Sequence, residues 1–506
     1  MTSASRTAQD PGTERLLWGI VLGVVTFWLF AGTTGTIAPA ILRDLNGPLP
    51  PGAKAWPHPA LDPVFMNLAV SVTALFSGIF IVLFGGLADR IGRVKVALVG
   101  NGLGMLGSLL IVCASGSLAL PLMLSGRAIQ GLSAACIMPA TMALVKTCWE
   151  GKARQRAVSM WSIGSWGGSG LASIFGGYMA TLVGWRSIFL ISIAISAVSY
   201  LLIRATPESR VQGGAKSHRF DGKGVFTFLV AMVSLMVVLI FGSRLGWTRP
   251  ATLGLAALGV LGLGAFVHVE RKAIHAFVDF RLFRNMTFTG ATLSNFLLNG
   301  TIGLLIVSQQ LLQVGGSLKA SEAGLLTLGY ALTIVAFIRL GEKLLQRFGP
   351  RRPMIWGSLI VAASCVLLLP THLMLAQYRV LAAVAYALFG LGLAFYATPS
   401  TDAALANLPP DQAGSGAGIY KMASSLGGAI GAAVSLAIFT AFSGSRPGAG
   451  FMGGLLEMHG RQDNTAVRAA ATVALLFNLV MVIVAIASIM LTVPRQGRVR
   501  EGCDQV

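Results

Sequence analysis

The sequence predicts an all-α protein that crosses a membrane many times. Hydrophobic residues make up 55% of the 506 residues and charged residues only 11%, whereas soluble proteins carry about 25% charged residues. Apolar runs recur along the whole chain, and each run of about 20 residues is long enough to cross about 30 Å of hydrocarbon. The chain is therefore predicted to have almost no mass outside the membrane.

Hydropathy divides the chain into about fourteen predicted spans. They lie near residues 16–42, 64–88, 94–115, 119–145, 157–181, 187–203, 223–243, 251–269, 288–312, 322–340, 353–371, 379–400, 416–442 and 470–493. Residues 1–15 are polar, and the first apolar run is too long for a signal peptide, so we expect no cleavable leader.

The net charge of +20 is explained by the membrane topology rather than by binding of nucleic acid. Lys and Arg concentrate in every second connecting segment, and the positive-inside rule assigns those segments to the cytoplasm. We therefore expect a multi-pass protein of the cytoplasmic (inner) membrane with both termini in the cytoplasm. The lipid bilayer, with its anionic head groups, is the expected partner of the positive charge.

Sequence motifs of enzymes and metal sites are missing. The five cysteines are scattered without the spacing of metal ligands or of a disulfide framework. A Gly-x-x-x-x-Gly-Lys-Ser/Thr loop, which would support ATP-driven transport, does not occur. We expect no enzymatic activity, no catalytic triad, no metal site and no cofactor.

The most informative stretch is the short charged loop at residues 85–95, which reads GGLADRIGRVK. It joins two long apolar runs, and its simplest interpretation is a basic cytoplasmic loop. Its pattern also resembles the signature loop between helices 2 and 3 of the major facilitator superfamily. Residues 341–352, GEKLLQRFGPRR, repeat the spacing of Leu, Arg and Gly, with Gln346 in place of Asp89.

Further motifs narrow the resemblance. They are RAIQG at 127–131, WRSIFL at 185–190, DGKG at 221–224, ERK at 270–272, LFRN at 282–285, LPPDQAG at 408–414 and LGGAIG at 426–431. Together they resemble the 14-helix drug:proton antiporter family. The resemblance implies the major facilitator fold, in which two six-helix halves flank an inserted helical hairpin. The corresponding domains are 1–203, 204–270 and 271–506, the last with a cytoplasmic tail.

Two antiporter features are altered. The aspartate usual in helix 1 of the family aligns with Phe30, and the Gly-Pro pair of helix 5 aligns with Ala172 and Ser173. A proline would kink its helix, whereas the glycines that remain still permit close helix packing. Proton coupling requires a titratable group in the transport path. The remaining candidates lie near span ends: Asp89, Asp402, Glu322 and Glu342.

Gating residues are predicted from the two superfamily motifs in the first half. Asp89 and Arg93 are expected to form a conformational latch, in which the aspartate pairs with a basic neighbour or caps a helix N-terminus. Arg154 and Arg156 are further candidate partners. Arg127 is buried in a predicted span and either gates or relays protons, or forms a fixed salt bridge or carbonyl clamp. The predicted gating set is Gly85, Asp89, Arg90, Gly92, Arg93 and Arg127.

Polar and aromatic residues suggest a substrate path. At 100° per residue, the amides of span 9 fall on one face about 100° wide. This face forms either a wall of the substrate path, or interhelical contacts and a water-exposed mouth. Aromatic residues of spans 1 and 5 could stack on a flat solute. The candidates are Trp28, Phe30, Trp161, Trp166, Asn295, Asn299, Gln309, Gln310 and Gln313, with Tyr330, Tyr396 and Lys421 as weaker ones.

These features predict a monomeric secondary transporter that moves a small organic solute by alternating access. Efflux of amphipathic compounds is the first hypothesis, coupled to protons or to another ion. The alternative is uptake of a flat nutrient such as riboflavin, which some relatives of this family import. A path with amides and aromatics but no central carboxylate suits such a solute. A receptor that does not transport is a third possibility.

Overall fold

The computed structural model describes residues 12–47, 63–209, 221–246, 248–273, 280–316, 318, 320–406, 408, 412–443 and 464–494. Within these ranges the regular secondary structure is helical, and no strand occurs. This agrees with the predicted all-α class. Every predicted span coincides with a helix or with a pair of consecutive helices.

The N-terminal helices follow the predicted spans closely. They are α1 (Glu14–Asn46), α2 (Pro63–Ile91), α3 (Arg93–Val112), α4 (Ala119–Cys148), α5 (Gly151–Ser162), α6 (Gly168–Leu182) and α7 (Arg186–Ile203). A π-helical turn, Ile163–Gly167, joins α5 to α6. Such turns locally widen a helix and are one cause of helix bending.

The remaining helices complete the chain. They are α8 (Gly222–Leu245), α9 (Pro250–Lys272), α10 (Met286–Gly300), α11 (Gly303–Gln310), α12 (Ala320–Leu326), α13 (Leu328–Phe348), α14 (Arg351–Leu368), α15 (Leu375–Ala406), α16 (Ala413–Ser443) and α17 (Thr465–Thr492). Among the described residues, eleven helical stretches are long and apolar enough to cross a membrane. The count of fourteen spans stays a prediction.

The chain forms two compact units. The first comprises residues 1–168, 175–219 and 408–419, and the second comprises residues 169–174, 220–407 and 420–506. The start of α16 thus belongs to the first unit and the rest of that helix to the second. The three predicted domains, with a separate inserted hairpin, stay a prediction.

Small residues allow the helices of each unit to approach closely. A Cβ on Gly107 of α3 would lie 2.8 Å from the carbonyl oxygen of Gly126 in α4. In the second unit, a Cβ on Gly392 of α15 would lie 2.6 Å from the carbonyl oxygen of Gly357 in α14. Glycine at such contacts is the usual means by which membrane helices pack, because the bilayer supplies no hydrophobic driving force between helices.

An arginine clamp ties helix ends together in the first unit. Arg186, at the start of α7, donates from Nε to the carbonyl of Val112 at 3.1 Å and from Nη2 to that of Ala114 at 3.0 Å. It also forms an ion pair with Asp44 of α1, which accepts a hydrogen bond from the indole of Trp185 at 3.0 Å. The ends of α1, α3 and α7 are thereby joined.

The second unit has a corresponding clamp. Arg468, in the first turn of α17, donates to the carbonyl of Thr371, which follows α14. The hydroxyl of Thr371 lies 2.8 Å from that of Thr472 on the next turn of α17. Both clamps join the start of one helix to the chain at the end of another. The carbonyls that accept these hydrogen bonds lie at a helix end, where they have no partner within their own helix.

Candidate functional site

The signature loop is a single-residue turn between two helices. Helix α2 ends at Ile91, α3 begins at Arg93, and Gly92 between them has φ 125°. That backbone conformation is rarely adopted by residues with a side chain, so glycine is required here. The turn brings Arg93 back toward the last turn of α2, where Asp89 lies.

Asp89 is the centre of a buried hydrogen-bonded cluster. Only 7% of the residue is exposed. Its Oδ1 accepts from Arg93 Nε at 3.0 Å and from Arg93 Nη2 at 2.8 Å. The same oxygen accepts from the backbone N–H of Gly414 at 2.9 Å, and Oδ2 accepts from that of Ser415 at 2.9 Å.

We call Asp89, Arg93, Gly414 and Ser415 the latch. All four lie in the first unit. Gly414 and Ser415 occupy the first turn of α16, where backbone N–H groups have no partner within the helix and the dipole favours a negative charge. The carboxylate therefore accepts hydrogen bonds from a basic side chain and from a helix N-terminus together. The role of these residues as a conformational latch stays a prediction.

Gly85 permits the close approach of α2 and the start of α16 by its small size. A Cβ at this position would lie 2.5 Å from the carbonyl oxygen of Gly414, so any side chain would push the start of α16 away. Arg90 is exposed, and it makes none of the latch contacts described above. Arg156, one of the predicted partners of Asp89, instead forms an ion pair with Glu14.

A support for the latch that the sequence analysis missed comes from the end of the first half. Glu208 accepts from the backbone N–H of Val94 at 2.9 Å and from that of Lys95 at 3.1 Å, which caps the start of α3. Ser209 accepts from the Arg93 backbone N–H at 3.1 Å, and its hydroxyl accepts from Arg93 Nη1 at 3.2 Å. These residues lie more than a hundred positions from the loop, so no local pattern links the two.

Arg127 lies fully buried among backbone and amide groups of the first unit. Its Nε donates to the carbonyl of Ala69 at 3.0 Å, and Nη1 donates to Gln130 Oε1 at 3.0 Å. The hydroxyl of Thr73 donates to the Arg127 carbonyl at 2.9 Å. These contacts join α2 to α4 in the manner of a carbonyl clamp, and the predicted role of Arg127 in gating stays a prediction.

The two asparagines of α10 make contacts inside the second unit. Asn295 is fully buried, and its Nδ2 donates to the carbonyl of Tyr420 in α16 at 3.0 Å. Asn299 Nδ2 donates to the backbone oxygen of Asn295 at 2.7 Å and to its Oδ1 at 2.8 Å. Asn295 therefore joins α10 to α16. Asn299 bonds within α10 and is partly exposed.

The predicted polar face of span 9 does not extend along one helix. Helix α10 ends at Gly300, α11 begins at Gly303, and a π-helical turn follows over Leu311–Gly315. The prediction that the five amides share one face assumes a regular helix with 100° per residue. It does not hold across these interruptions. Gln309, Gln310 and Gln313 are partly exposed.

A network of hydroxyl groups surrounds Tyr396 and Tyr420 in the second unit. The Tyr396 hydroxyl lies 2.7 Å from that of Ser294 and accepts from Ser400 at 2.9 Å. The Tyr420 hydroxyl donates to Ser400 Oγ at 3.0 Å and lies 3.3 Å from that of Thr401. We call these five residues the hydroxyl network. The sequence predicts Tyr396 only as a weak candidate for the substrate path. The one signal of this network in the sequence is the four-residue spacing between Tyr396 and Ser400.

The aromatic candidates differ in their surroundings. Trp161 is 1% exposed, and its indole donates to the hydroxyl of Thr141 at 3.1 Å, so it packs between α5 and α4. Trp166 is buried within the π-helical turn. The side chains of Trp28 and Phe30 lie outside the described part of the chain, although their backbone belongs to α1.

The helix that lacks the antiporter proline retains its tight packing. A Cβ on Gly176 of α6 would lie 2.7 Å from Thr33 of α1, as expected from the remaining glycines. The π-helical turn that precedes α6 interrupts the regular hydrogen bonding of this span, which a proline would otherwise do.

The ionisable candidates for coupling lie close to helix ends. Asp402 is buried in the last turns of α15. Glu342 is also buried and accepts from Arg339 at 2.7 Å and from Gln346 at 3.2 Å. Glu322 is exposed in the first turn of α12. Among the described residues, no group of three or more potential metal ligands occurs.

Comparison with known proteins identifies the family. The sequence profile of the Major Facilitator Superfamily matches residues 20–298 and 286–504. The chain belongs to this superfamily. It is therefore a multi-pass membrane transporter and not an enzyme.

Relatives and solved structures agree with that assignment. The chain is 42% identical over 487 residues to the Quinolone resistance protein NorB of Staphylococcus aureus strain MRSA252, covering 96% of this chain and 97% of the relative. For NorB of strain COL the identity is 42% over 499 residues, covering 98% and 99%. The resemblance to a 14-helix drug efflux family is thereby confirmed.

Two solved structures share the fold. The human organic anion transporter MFSD10 (TETRAN) superposes with a TM-score of 0.62 at 14% identity, covering 94% of this chain and 98% of that one. The proton:xylose symporter XylE gives a TM-score of 0.59 at 15% identity, with 95% and 94% covered. At this level of identity the two structures support the fold only.

Proposed function

We propose that the chain exports small amphipathic organic compounds, quinolones among them, from the cytoplasm. The observation that carries this proposal is the 42% identity, over almost the full length of both chains, to proteins named for quinolone resistance. Similarity that extends from one end to the other includes both halves and the signature loop. We therefore infer the direction of transport and the substrate class from similarity of the whole chain rather than from one motif.

Transport is proposed to proceed by alternating access, with the latch as a gate. Each carboxylate oxygen of Asp89 accepts from a backbone N–H of α16, and Oδ1 also accepts from Arg93. Movement of the start of α16 away from α2 leaves a buried carboxylate without two of its donors. Uncompensated buried charge is costly, so the latch favours the closed arrangement until substrate or ion binding offsets that cost.

The proposed orientation places both termini and the latch on the cytoplasmic side of the cytoplasmic (inner) membrane. The charge distribution along the sequence supports it, because the loops assigned to the cytoplasm carry the excess of Lys and Arg. A closed latch then seals the cytoplasmic end of the path. We infer a monomer coupled to protons or to another ion, and the candidate carriers of the proton are Asp89, Asp402, Glu322 and Glu342.

An efflux assay tests the proposal. The chain is expressed in a drug-sensitive host, and resistance to a quinolone and to ethidium is measured together with ethidium efflux from preloaded cells. We expect increased resistance and faster efflux, both abolished when the transmembrane gradient is dissipated. Unchanged resistance and efflux, despite verified membrane expression, would contradict export.

Uptake of a flat nutrient such as riboflavin is the second candidate. Phe30 at the position of the family aspartate and Ser173 at that of the proline favour it, since both altered features belong to antiporters. Expression in a riboflavin-auxotrophic host distinguishes the two functions. Growth at limiting riboflavin without drug resistance would replace export by uptake.

A further inference from the structure

The turn between α13 and α14 carries two arginines that share one aromatic ring. Phe348 is the last residue of α13, and the guanidinium carbon of Arg347 lies over its ring at 5.2 Å from the centroid. That of Arg352, in the first turn of α14, lies 5.9 Å from the same centroid. Trp356 packs against Phe348 edge to face, with 5.2 Å between the ring centroids. We call these four residues the arginine cluster, and all of them belong to the second unit.

Among the described residues, the positive charge of the arginine cluster has no acidic counterpart. Arg347 and Arg352 are exposed, and neither forms an ion pair with a described carboxylate. Glu342, which lies earlier on α13, pairs with Arg339 instead. A guanidinium that lies over a ring contacts it with its flat face, so the N–H groups along its edge stay available to an anion.

The turn that holds the arginine cluster is fixed by backbone contacts. Arg351 Nη2 donates to the carbonyl of Met490 in the last turn of α17 at 2.6 Å. The N–H of Gly349 donates to the carbonyl of Leu345 at 2.9 Å, and its φ of 70° reverses the chain. Guanidinium groups that are presented from a fixed turn lose little freedom when they bind an anion, so the cluster is preorganised.

Beyond the arginine cluster, α14 presents an apolar face outward. Counted from Arg352, the exposed residues of this helix follow at intervals of four and three and so share one face. They are Trp356, Leu359, Ala363 and Val366. The face extends about 21 Å along the helix, which exceeds half of a hydrocarbon core about 30 Å thick. Tryptophan is enriched where such a core meets the head groups, and Trp356 occupies that level here.

We propose that the arginine cluster binds the head group of an anionic phospholipid whose acyl chains lie along the exposed face of α14. Arginine matches the geometry of a phosphate group and binds it with paired hydrogen bonds. Two cations without a described carboxylate beside them favour a head group of net negative charge over a zwitterionic one. The apolar face adds contacts that a free phosphate ion would not use, so the ligand is a lipid.

Quenching of Trp356 by brominated lipid tests this site. The full-length chain is reconstituted in nanodiscs of phosphatidylcholine and phosphatidylglycerol with the same acyl chains, and either lipid in turn carries bromine on its chains. Because the chain has nine tryptophans, each measurement is repeated with Trp356→Phe, and the difference reports the lipid beside Trp356. We expect phosphatidylglycerol to bind there about twenty-five-fold more tightly than phosphatidylcholine, about fivefold for each arginine.

Charge variants decide whether the arginines recognise the head group. Arg352→Gln is expected to lower the preference about fivefold, and the double variant Arg347→Gln with Arg352→Gln to abolish it. The matched control is Arg379→Gln, which removes an exposed arginine of α15 near the opposite end of α14 and is expected to keep the preference. Thermal unfolding checks that each variant is folded. No preference in the wild type, or a preference that survives in the double variant, overturns the assignment.

Added inorganic phosphate distinguishes a lipid from a free anion. We expect the quenching by brominated phosphatidylglycerol to be the same in phosphate and in chloride of equal ionic strength, because the ion lacks acyl chains. Phosphate that displaces the lipid where chloride does not would replace the lipid by a free phosphate and overturn the lipid site.

The lipid site and the proposed export are tested separately on the same protein. Ethidium efflux is measured in proteoliposomes of the same two lipids. Efflux without a lipid preference at Trp356 contradicts the lipid site alone, whereas the preference without efflux contradicts export alone. Absence of both contradicts both.

Discussion

The two halves of the chain contain the same turn with different chemistry. Gly92 between α2 and α3 has φ 125°, and Gly349 between α13 and α14 has φ 70°. Aligned on these glycines, Asp89 corresponds to Gln346 and Arg93 to Pro350. Both turns contain a glycine with positive φ, although the second is longer by Pro350. The ion pair of Asp89 with Arg93 has no counterpart at Gln346 and Pro350.

The position of Gly85 sharpens this difference. Its counterpart in the second half is Glu342, which bonds within its own helix to Arg339 and Gln346. Gly85 permits the close approach of α16, while Glu342 makes a local polar cluster instead. A glycine turn thus serves the fold in both halves, whereas the proposed gate uses side chains of the first half alone.

The largest expected effect follows from Asp89→Asn. The variant keeps the size of the side chain but loses the charge that pairs with Arg93 and with the start of α16. We expect the rate of ethidium efflux to fall about tenfold or more, equivalent to about 1.4 kcal/mol in the barrier, with a smaller change in substrate affinity. Efflux kinetics in matched membrane preparations measure both quantities. Full gradient-driven export in this variant would also exclude Asp89 as the proton carrier.

Gly85→Val tests the close approach rather than the charge. Its side chain would meet the Gly414 carbonyl, so the start of α16 is displaced and the hydrogen bonds of Gly414 and Ser415 to Asp89 are weakened. We expect export to fall severalfold, with the chain still inserted in the membrane. Gly102→Val, at a site with no neighbouring atom within 4 Å of the added Cβ, is the control. Equal effects of the two substitutions would argue against a specific contact.

Glu208→Gln is expected to have a moderate effect. The charged cap of α3 is lost, which costs about 0.5–2 kcal/mol for a helix cap, and Arg93 is held less firmly. Thermal unfolding of the purified chain and efflux rate report the two consequences. Glu150→Gln is the matched control, because Glu150 precedes α5 without a side-chain capping bond. A result in which the control is the more harmful change would contradict the support role of Glu208.

The smallest effect is expected from Gln346→Asp. This substitution restores the aspartate of the signature in the second half, but Pro350 replaces the arginine that would pair with it. It also removes the hydrogen bond that Gln346 donates to the buried Glu342 within α13, at a site that shares no residue with the latch. We therefore expect efflux within about twofold of wild type. A strong gain or loss of export would show that the second turn contributes to gating after all.

Sequence reasoning located the helices well because each apolar run must be long enough to cross the bilayer. It also placed Asp89 beside Arg93, since the two residues are four positions apart across a glycine turn. It could not find Glu208 or the pairing of Asn295 with Tyr420, because these contacts join residues far apart in the chain. The break between α10 and α11 was missed as well, since no proline marks it and hydropathy continues through it.

The clamps of Arg186 and Arg468 bear on how a loss of resistance in a variant is interpreted. Each clamp joins helix ends within one unit and shares no residue with the latch. Their loss should therefore act on biogenesis, through the yield of correctly assembled protein that escapes membrane proteolysis. Resistance measured in cells combines abundance with turnover per molecule, and damage at the clamps would reduce the first of these factors while sparing the second.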